Sequence, residues 1–327
     1  MKLFLAPMAT LTHTALRQII YSFGGCDEYY TEMIQAGTLL NNGPFEKYYL
    51  ITDPEPEKLV WQLTGGKPEA LIQATELLCR TGGIGVDINM GCCAPDIIRS
   101  GAGIAWMLKP LEETQEMLKG VAYEIKKVEK NHRFSVKIRL GDDDFTEKKF
   151  FSFIDMLAFV GVNQITLHPR TKKEKYRLAP RYEYVKKLVE YVKKNNYPIN
   201  IILNGGISSK DSLDKALEVS SNVSGIMIGR GAVQKPWIFS QLKNLAPEKI
   251  DLLQTGLDFI HALEKYQPPE FYKTRLQRFF TYYSDNVQFS HFLRTKLLAS
   301  PSPEGCKEVL TKYFDQCPEE RMLFLKQ

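Results

Sequence analysis

Two adjacent cysteines, Cys92 and Cys93, stand in the segment INMGCCAPDIIRSGAG, between an apolar run and a glycine-rich stretch. Thiols in such a segment could form a metal site, a disulfide, a pair of core residues or a catalytic thiol. The six cysteines are scattered and include neither a CxxC pair nor zinc-finger spacing to histidine. These spacings disfavour a metal site and a disulfide, and leave packing and catalysis open.

Polar residues also close most of the other apolar runs of the chain. Each alone is compatible with a surface position or a turn, but a packed barrel core would prefer Val or Ile at such places. Their recurrence at the same end of successive strands therefore indicates a polar site. In chain order these residues are Gln62, Asn89, Lys137, Arg139, His168, Arg170, Asn204 and Arg230.

Two glycine-rich turns suggest what such a site could bind. Backbone N–H groups at Gly205, Gly206 and Gly229 could hold a phosphate, and Arg230 adds a cation able to bind it in bidentate fashion. Lys137 could place positive charge near an electron-rich ring, and the strand-end amides offer both donors and acceptors. Together they describe a pocket for a phosphorylated cofactor with a polar heteroaromatic ring, and flavin mononucleotide (FMN) suits it.

The elements that position these residues are short apolar strands alternating with amphipathic helices, which predicts a parallel sheet covered by helices. About eight strand–helix units in roughly 240 residues fit a closed (β/α)8 TIM barrel better than an open doubly wound sheet. No G-x-G-x-x-G follows an early strand, which further weakens the Rossmann alternative. The predicted strands lie within 3–8, 27–34, 59–63, 84–90, 134–140, 162–168, 197–204 and 223–229.

From about Leu242 onward the sequence shows no strand-like run. Helical segments at 251–266, 271–285 and 286–298 predict a small all-helical C-terminal domain. The expected division is a barrel at 1–240 and a helical domain at 241–327.

The composition of the 327 residues, 44% apolar and 25% charged, is that of a globular protein, and the net charge of +5 permits a polyanionic partner without requiring one. The first apolar stretch is too short for a signal peptide, and no apolar run approaches the length of a membrane span. We expect a reduced, cytoplasmic protein with no membrane or metal partner, and nothing indicates more than a monomer.

Two basic clusters could contact an RNA backbone. In the C-terminal region, Arg275, Arg278 and Tyr282 are spaced i, i+3, i+7 and are expected to share one helical face. Basic residues interleaved with aromatics suit phosphate contact and base stacking, whereas the alternative is an amphipathic helix with Phe279, Phe280 and Tyr283 in a core. The candidate contacts there are Lys273, Arg275, Arg278 and Arg294. The second cluster is Arg170, Lys172, Lys173, Lys175 and Arg177.

Seven ordered motifs resemble the tRNA-dihydrouridine synthase family, from the first strand to the C-terminal helices. They are LAPMATLTHTALRQI, WQLTGG, VDINMGC followed by GAG, VKIRLG, ITLHPRT, NGGI and MIGRGAVQKPWIF. The resemblance implies a flavin-bearing (β/α)8 barrel with a helical tRNA-binding domain. It also implies reduction of the 5,6 double bond of a uridine, with NADPH reducing the FMN first.

The resemblance assigns site residues by position. Pro7, Met8 and Ala9 are expected against the flavin, with Gln62, Lys137 and His168 at its ring or ribityl chain. Asn204, Gly205, Gly206, Gly229 and Arg230 are expected at the phosphate. Apart from the resemblance, Asn89, Arg139 and Arg170 are candidate contacts for the substrate or tRNA. Cys92 matches the family's catalytic cysteine.

Uracil reduction explains a thiol at this place. Hydride delivered to C6 leaves negative charge that ends at C5, and a thiol held in a loop can give the proton there as a general acid. The family pattern is Gly-Cys-Pro, whereas here Cys93 stands in place of the proline. Losing that proline should make the loop less rigid, and Cys93 is either a packing residue or a substitute donor.

Three other functions remain as alternatives. One is a flavin-dependent barrel reductase of a small molecule, of the dihydroorotate dehydrogenase or ene-reductase type. The others are a synthase acting on ribosomal RNA and an RNA-binding protein without catalysis. The basic, aromatic C-terminal segment argues against the first, and the intact set of Cys92, Lys137, His168 and Arg230 argues against the last.

Overall fold

The computed structural model of the chain describes residues 1–128, 132–142, 147–174 and 178–325. Eight parallel strands neighbour one another in chain order and close into a barrel, which confirms the predicted (β/α)8 architecture. The strands are β1 (Lys2–Leu5), β2 (Glu28–Gln35), β3 (Leu59–Thr64), β4 (Gly85–Met90), β5 (Arg133–Ile138), β6 (Gln164–Leu167), β7 (Asn200–Asn204) and β8 (Gly225–Ile228).

Helices follow each strand and cover the outside of the barrel. One of these helices begins with Pro68 at its first position, and Ser209 and Ser212 form a capping box at the start of the helix that begins at Lys210. The helices are α1 (Thr14–Ser22), α2 (Ala36–Leu40), α3 (Glu46–Tyr49), α4 (Pro68–Thr81), α5 (Pro95–Arg99), α6 (Ala105–Leu108), α7 (Leu111–Lys126), α8 (Glu147–Phe159), α9 (Tyr182–Lys194), α10 (Lys210–Val219), α11 (Arg230–Gln234) and α12 (Ile238–Leu242).

Alternation along the strands separates the core into two layers. On β3, Trp61 and Leu63 pack outward in the layer beneath the helices, whereas Val60 belongs to the separate cluster inside the barrel. Because side chains alternate along a strand, Gln62 shares the inner side with Val60. On β4, Val86 and Ile88 pack outward, so the same alternation places Asp87 and Asn89 on the inner side. The polar strand-end residues therefore point into the barrel mouth.

Four helices form the C-terminal region. They are α13 (Leu252–Tyr266), α14 (Pro269–Tyr283), α15 (Ser290–Ala299) and α16 (Pro303–Gln316). Phe259 of α13 stacks on Phe279 of α14 with ring centroids 3.6 Å apart, and Tyr283 stacks on Phe279 in turn. These rings are buried, so this side of α14 is a core face. The predicted boundary at residue 240 falls inside α12, and the domain division stays a prediction.

The expectation of an all-helical C-terminal region is wrong in one detail. Two three-residue strands, β9 (Lys249–Asp251) and β10 (Met322–Phe324), pair antiparallel, with Ile250 opposite Leu323. Runs this short carry no recognisable alternation, and only the return of the chain end to α13 brings them together. Along the described part of the chain, none of the helices combines the length and apolar character that a membrane crossing requires.

Candidate active site

The loop after β4 presents Cys92 at the carboxyl edge of the barrel. The Oδ1 atom of Asn89 accepts hydrogen bonds from the backbone N–H groups of Cys92, at 2.9 Å, and Gly91, at 3.2 Å. The carbonyl oxygen of Cys92 accepts from the N–H of Ile104 at 3.0 Å. Cys92 is half-buried and its thiol is free. Backbone bonds on both sides therefore hold the cysteine, while its side chain keeps access to the mouth.

Gly103 packs directly against the loop that carries Cys92. Its φ of +60° lies in the left-handed region that favours glycine. A Cβ there would stand 2.6 Å from the carbonyl oxygen of Cys92 and 3.1 Å from its Cβ. The GAG segment predicted to accompany the cysteine is thus needed for close packing beneath it.

A chain of buried hydrogen bonds below the loop orients Asn89. Asp87 accepts from Ser135 Oγ and from Gln62 Nε2, both at 2.7 Å, and Gln62 Oε1 accepts from Asn89 Nδ2 at 3.0 Å. Because a carboxylate can only accept, Gln62 must turn its nitrogen toward Asp87 and its oxygen toward Asn89. That choice turns Asn89 Oδ1 toward the cysteine loop. Burial raises the pKa of Asp87 to about 6, against the lowering effect of its two donors.

Gln62 lies deeper than expected for a cofactor contact. Its side chain is 0% exposed and already bonded to Asp87 and Asn89. In this arrangement Gln62 supports the mouth through Asn89, and its direct contact with a flavin stays a prediction.

Lys137 adds a positive charge at the level of Asn89, its register partner on β4. Burial, together with the neighbouring Arg139, lowers the pKa of Lys137 to about 8, while Asp87, Cys92 and Cys93 act to raise it. Among the residues that the structure describes, none makes a hydrogen bond or ion pair with its ammonium group. Lys137 therefore retains its donors for a ligand beside the thiol.

Arg139 and Arg170, both predicted to contact the substrate, are buried instead. Arg139 is one residue beyond β5, and its Nε donates to the carbonyl of Gly91 at 2.9 Å, which braces the cysteine loop. Arg170 Nε donates to the carbonyl of Leu178 at 2.6 Å. In this structure the Nε atom of each guanidinium group holds a loop of the mouth, and direct contact of either arginine with the substrate stays a prediction.

His168 lies at the end of β6, where Arg170 Nη1 is 2.8 Å from its Nε2 and donates to it. Burial, with the positive charges of Lys137, Arg139, Arg170 and Arg230, holds the pKa of His168 well below its ordinary value. His168 is therefore a neutral imidazole, and its Nε2 accepts the hydrogen bond.

The two glycine turns predicted to bind phosphate meet at the mouth. Gly205 and Gly206 have φ of +119° and +78°, and a Cβ on Gly205 would stand 2.6 Å from His168 Cδ2. A Cβ on Gly231 in α11 would stand 2.6 Å from the carbonyl oxygen of Ile207, so the loops after β7 and β8 touch backbone to backbone. Asn204 ties the same strands together by donating to the carbonyl of Met227 at 2.8 Å.

Gly229 and Arg230 complete this corner. A Cβ on Gly229 would stand 3.3 Å from the sulfur of Met8, so the turn after β8 packs against the loop after β1. Arg230 begins α11 and is exposed, and its charge is close enough to lower the pKa of His168. The structure thus brings together all the residues predicted for a phosphate.

The loop after β1 carries the three residues predicted to face the flavin. Met8 donates its N–H to Thr12 Oγ1 at 2.9 Å, and its carbonyl accepts from the N–H groups of Leu11 and Thr12, both at 3.1 Å. Pro7 and Met8 are half-buried and Ala9 is exposed. This is a rigid turn whose apolar side chains border the glycine corner.

The basic residues of the C-terminal region divide into two groups. Lys273 and Arg278 of α14 are exposed, as a phosphate contact requires. Arg275 is 2% exposed and pairs with Glu32 of the barrel, with 2.8 Å between Nη1 and Oε2. Arg294 forms an ion pair with Asp285. Arg275 is therefore buried while Arg278, three residues later on the same helix, is exposed, and contact of Arg275 with RNA stays a prediction.

In the second basic cluster, Lys173 is exposed and Lys172 is half-buried, with its N–H bonded to the carbonyl of Gly141. Lys175 and Arg177 lie outside the described residues.

Asp87 and Glu32 were not anticipated as functional residues. The alternation of VDINM places Asp87 on the same inner side as Asn89, and this signal could have identified it. Glu32 had no comparable signal, because its partner Arg275 is 243 residues away in the chain.

A closed parallel barrel whose mouth gathers a thiol, a lysine and two touching glycine turns is typical of a (β/α)8-barrel enzyme. Its fold is similar to a solved 2-naphthoyl-CoA reductase, with a TM-score of 0.56 and 12% identity over 97% of this chain and 67% of that one. Residues 4–318 match the family model described as dihydrouridine synthase (Dus). The chain belongs to the dihydrouridine synthase family, whose members are flavin-dependent oxidoreductases that convert uridine in tRNA to dihydrouridine.

Two curated relatives support this assignment. A probable tRNA-dihydrouridine synthase of Aquifex aeolicus is 30% identical over 99% of this chain and 98% of its own length. A probable tRNA-dihydrouridine synthase of Helicobacter pylori is 31% identical over 74% of this chain and 70% of its own length.

The residues present fit a flavin. At the glycine corner, a Cβ on Gly205 would stand 2.6 Å from His168 Cδ2 and one on Gly229 would stand 3.3 Å from the Met8 sulfur, so only glycine keeps the backbone this close to both residues. Lys137 retains its donors in the same mouth, next to the thiol that the reaction would need. The fit comes from contacts within this chain, independently of the family match.

Proposed function

We propose that this chain uses FMN and NADPH to reduce the C5=C6 bond of particular uridines in tRNA, with Cys92 as the proton donor. The observation that supports the proposal is the Cys92 loop, held by Asn89 and packed against Gly103, at the same barrel mouth as the charge of Lys137 and the glycine turns after β7 and β8.

The cofactor assignments follow the geometry of the mouth. Gly205, Gly206, Gly229 and Arg230, with Asn204 behind them, would hold the FMN phosphate. His168 and Lys137 would contact its ribityl chain or ring, with Gln62 beneath. Pro7, Met8 and Ala9 would border its face. When bound and reduced, the flavin supplies the hydride that adds to C6 of the uracil ring.

Cys92 completes the addition. Its S–H gives the proton to C5 as negative charge develops there, so the C5=C6 double bond becomes a single bond carrying two new hydrogens. The thiolate left on Cys92 then regains a proton from solvent, and the enzyme returns to its starting state. Asn89 fixes the backbone of this donor, and Arg139 braces the carbonyl of Gly91 just before it.

The exposed cations Lys273 and Arg278 of α14 are proposed to bind tRNA phosphates, with Arg294 as a further candidate. Such contacts are needed because a uridine within folded RNA must be turned out of its stack to reach the barrel mouth. They position the RNA without reading its sequence.

The reaction is tested with purified protein, NADPH and unmodified tRNA transcripts, and the product is mapped by nuclease digestion and mass spectrometry. The expected result is a gain of about two mass units at one or two defined uridines, because two hydrogens add across one double bond. Cys92→Ala should abolish the gain, whereas Cys93→Ala should retain it. A yellow, reducible protein that produces no gain would contradict the proposed substrate, and loss only in Cys93→Ala would contradict the assigned donor.

A further inference from the structure

Glu32 on β2 joins two parts of the molecule that the proposed reaction must coordinate. Its Oε1 accepts from the N–H of Thr10 at 2.7 Å, and its Oε2 accepts from Nη1 of Arg275 at 2.8 Å. Both charged side chains are buried, at 5% and 3% exposed. Thr10 belongs to the loop after β1, and Arg275 belongs to α14, so one carboxylate bonds to both. We call this set, Thr10–Glu32–Arg275, the Glu32 bridge.

The Thr10 end of the bridge holds an unusual backbone. Thr10 has a φ of +63°, in the left-handed region that a β-branched residue seldom adopts. A conformation of this kind persists when its surroundings hold it in place, and such outliers gather at ligand sites. The loop also carries Pro7, Met8 and Ala9, the proposed flavin border. The bond to Glu32 therefore helps to fix the shape of the loop against which the cofactor would lie.

The Arg275 end of the bridge orients the helix proposed to hold RNA. The guanidinium lies over the ring of Phe271, 4.7 Å from its centroid, and near Tyr49 of the barrel side at 6.0 Å. Two residues before Arg275 and three after it on the same helix are the exposed Lys273 and Arg278. The place of these two cations relative to the barrel mouth thus depends on where the bridge anchors α14.

We propose that Glu32 is a positioning residue. It fixes the position of α14, and of the RNA held on that helix, relative to the flavin-bordering loop after β1. This inference rests on the proposed function. It implies that the Arg275 end of the bridge is required when RNA takes part, and is dispensable for reduction of the flavin by NADPH, for which no contact with α14 is proposed.

The substitutions follow from the acceptor count. Glu32→Gln keeps the shape of the side chain but offers one acceptor oxygen instead of two, so only one end of the bridge can stay bonded. Arg275→Met removes the guanidinium while keeping much of the apolar stem, and Arg275→Lys restores the positive charge as a compact ammonium group in place of the planar guanidinium.

The chain offers a matched control in a second buried ion pair. Glu28 at the start of β2 pairs with Arg133 at the start of β5, with 2.9 Å between Oε1 and Nη1. This pair lies at the amino ends of the strands, away from α14 and from the loop after β1. Glu28→Gln therefore removes a comparable buried charge without touching either end of the Glu32 bridge.

The experiment measures three quantities for each full-length variant: the melting temperature, the rate of flavin reduction by NADPH, and kcat and KM for a tRNA transcript. We expect Arg275→Met, which leaves the bond between Glu32 and Thr10 in place, to reduce flavin at a rate within about twofold of wild type. The kcat/KM for tRNA should fall about tenfold or more in both Arg275→Met and Glu32→Gln, because losing one partner of a buried charge pair is costly. Arg275→Lys should recover part of the loss, and Glu28→Gln should show no selective loss with tRNA.

The outcomes separate this inference from the function on which it rests. Parallel losses in flavin reduction, tRNA reaction and melting temperature, matching those of Glu28→Gln, would overturn the positioning role. Unchanged tRNA kinetics in both bridge variants would overturn it as well. Absence of dihydrouridine from the wild-type reaction would instead refute the proposed function, and the positioning role with it.

Discussion

The burial of Asp87 gives the free energy of unfolding a pH dependence whose direction and size can be calculated. This carboxyl is fully buried, and burial raises its pKa from the ordinary 3.8 to about 6. A raised carboxyl pKa means that the folded protein binds the proton more tightly than the unfolded chain. Its stabilising contribution is therefore complete below about pH 3.8 and is lost as the pH rises through about 6.

The size of the effect follows from the shift. Roughly two pKa units at about 1.4 kcal/mol each give about 3 kcal/mol in total, of which about 2 kcal/mol falls between about pH 4.5 and pH 8. Asp87→Asn removes the titration. Its Oδ1 can still accept from Gln62, and its Nδ2 can donate to Ser135 Oγ, so the hydrogen-bond chain to Asn89 is retained.

The assay is urea unfolding of wild type and Asp87→Asn at both pH values, monitored by circular dichroism. The free energy of unfolding of Asp87→Asn relative to wild type should rise by about 2 kcal/mol from the lower to the higher pH. A difference between Asp87→Asn and wild type that is the same at both pH values would refute the reasoning.

Two further predictions concern the cysteine loop and the RNA contacts. Gly103→Ala should lower dihydrouridine formation about tenfold or more at unchanged flavin content, because its Cβ would meet a carbonyl oxygen of that loop at 2.6 Å. Gly161→Ala, also at positive φ but with nothing within 4 Å, is the matched control, and equal loss in both would contradict the packing argument. Lys273→Ala and Arg278→Ala should each reduce the slope of log tRNA affinity against log salt by about one, and Arg294→Ala by less because of its ion pair. Equal slopes in all variants would exclude these contacts.

Much of the barrel could be predicted because strand alternation is a local property. The period of two in VDINM puts Asp87 and Asn89 on one side and Val86 and Ile88 on the other, whatever the rest of the chain does. The apolar runs are likewise local, and each of the eight predicted strand ranges overlaps one strand of the barrel. Because the eight strands are parallel, Cys92, Lys137 and the glycine turns, which lie at or beyond the carboxyl ends of their strands, meet at one edge of the barrel.

The environment of a single arginine could not be predicted in the same way. Helical spacing predicts that Arg275 and Arg278 are neighbours on α14, but it does not predict which face of that helix packs against the barrel. Arg275 is buried because Glu32, on a strand near the other end of the chain, supplies its counter-charge. Arg170 is buried because the backbone of Leu178 and the ring of His168 close around it.

The sequence by itself determined the barrel architecture and the candidate site residues, since periodicity, glycine turns and the thiol at the end of β4 all lie in short segments. The tertiary structure alone decided which charges face solvent and which bond within the protein. Arg139, Arg170 and Arg275 are buried and bonded to other parts of the chain, whereas Lys273 and Arg278 are exposed. The physical reason is that a buried charge requires a partner, and these partners come from residues that only folding brings within reach.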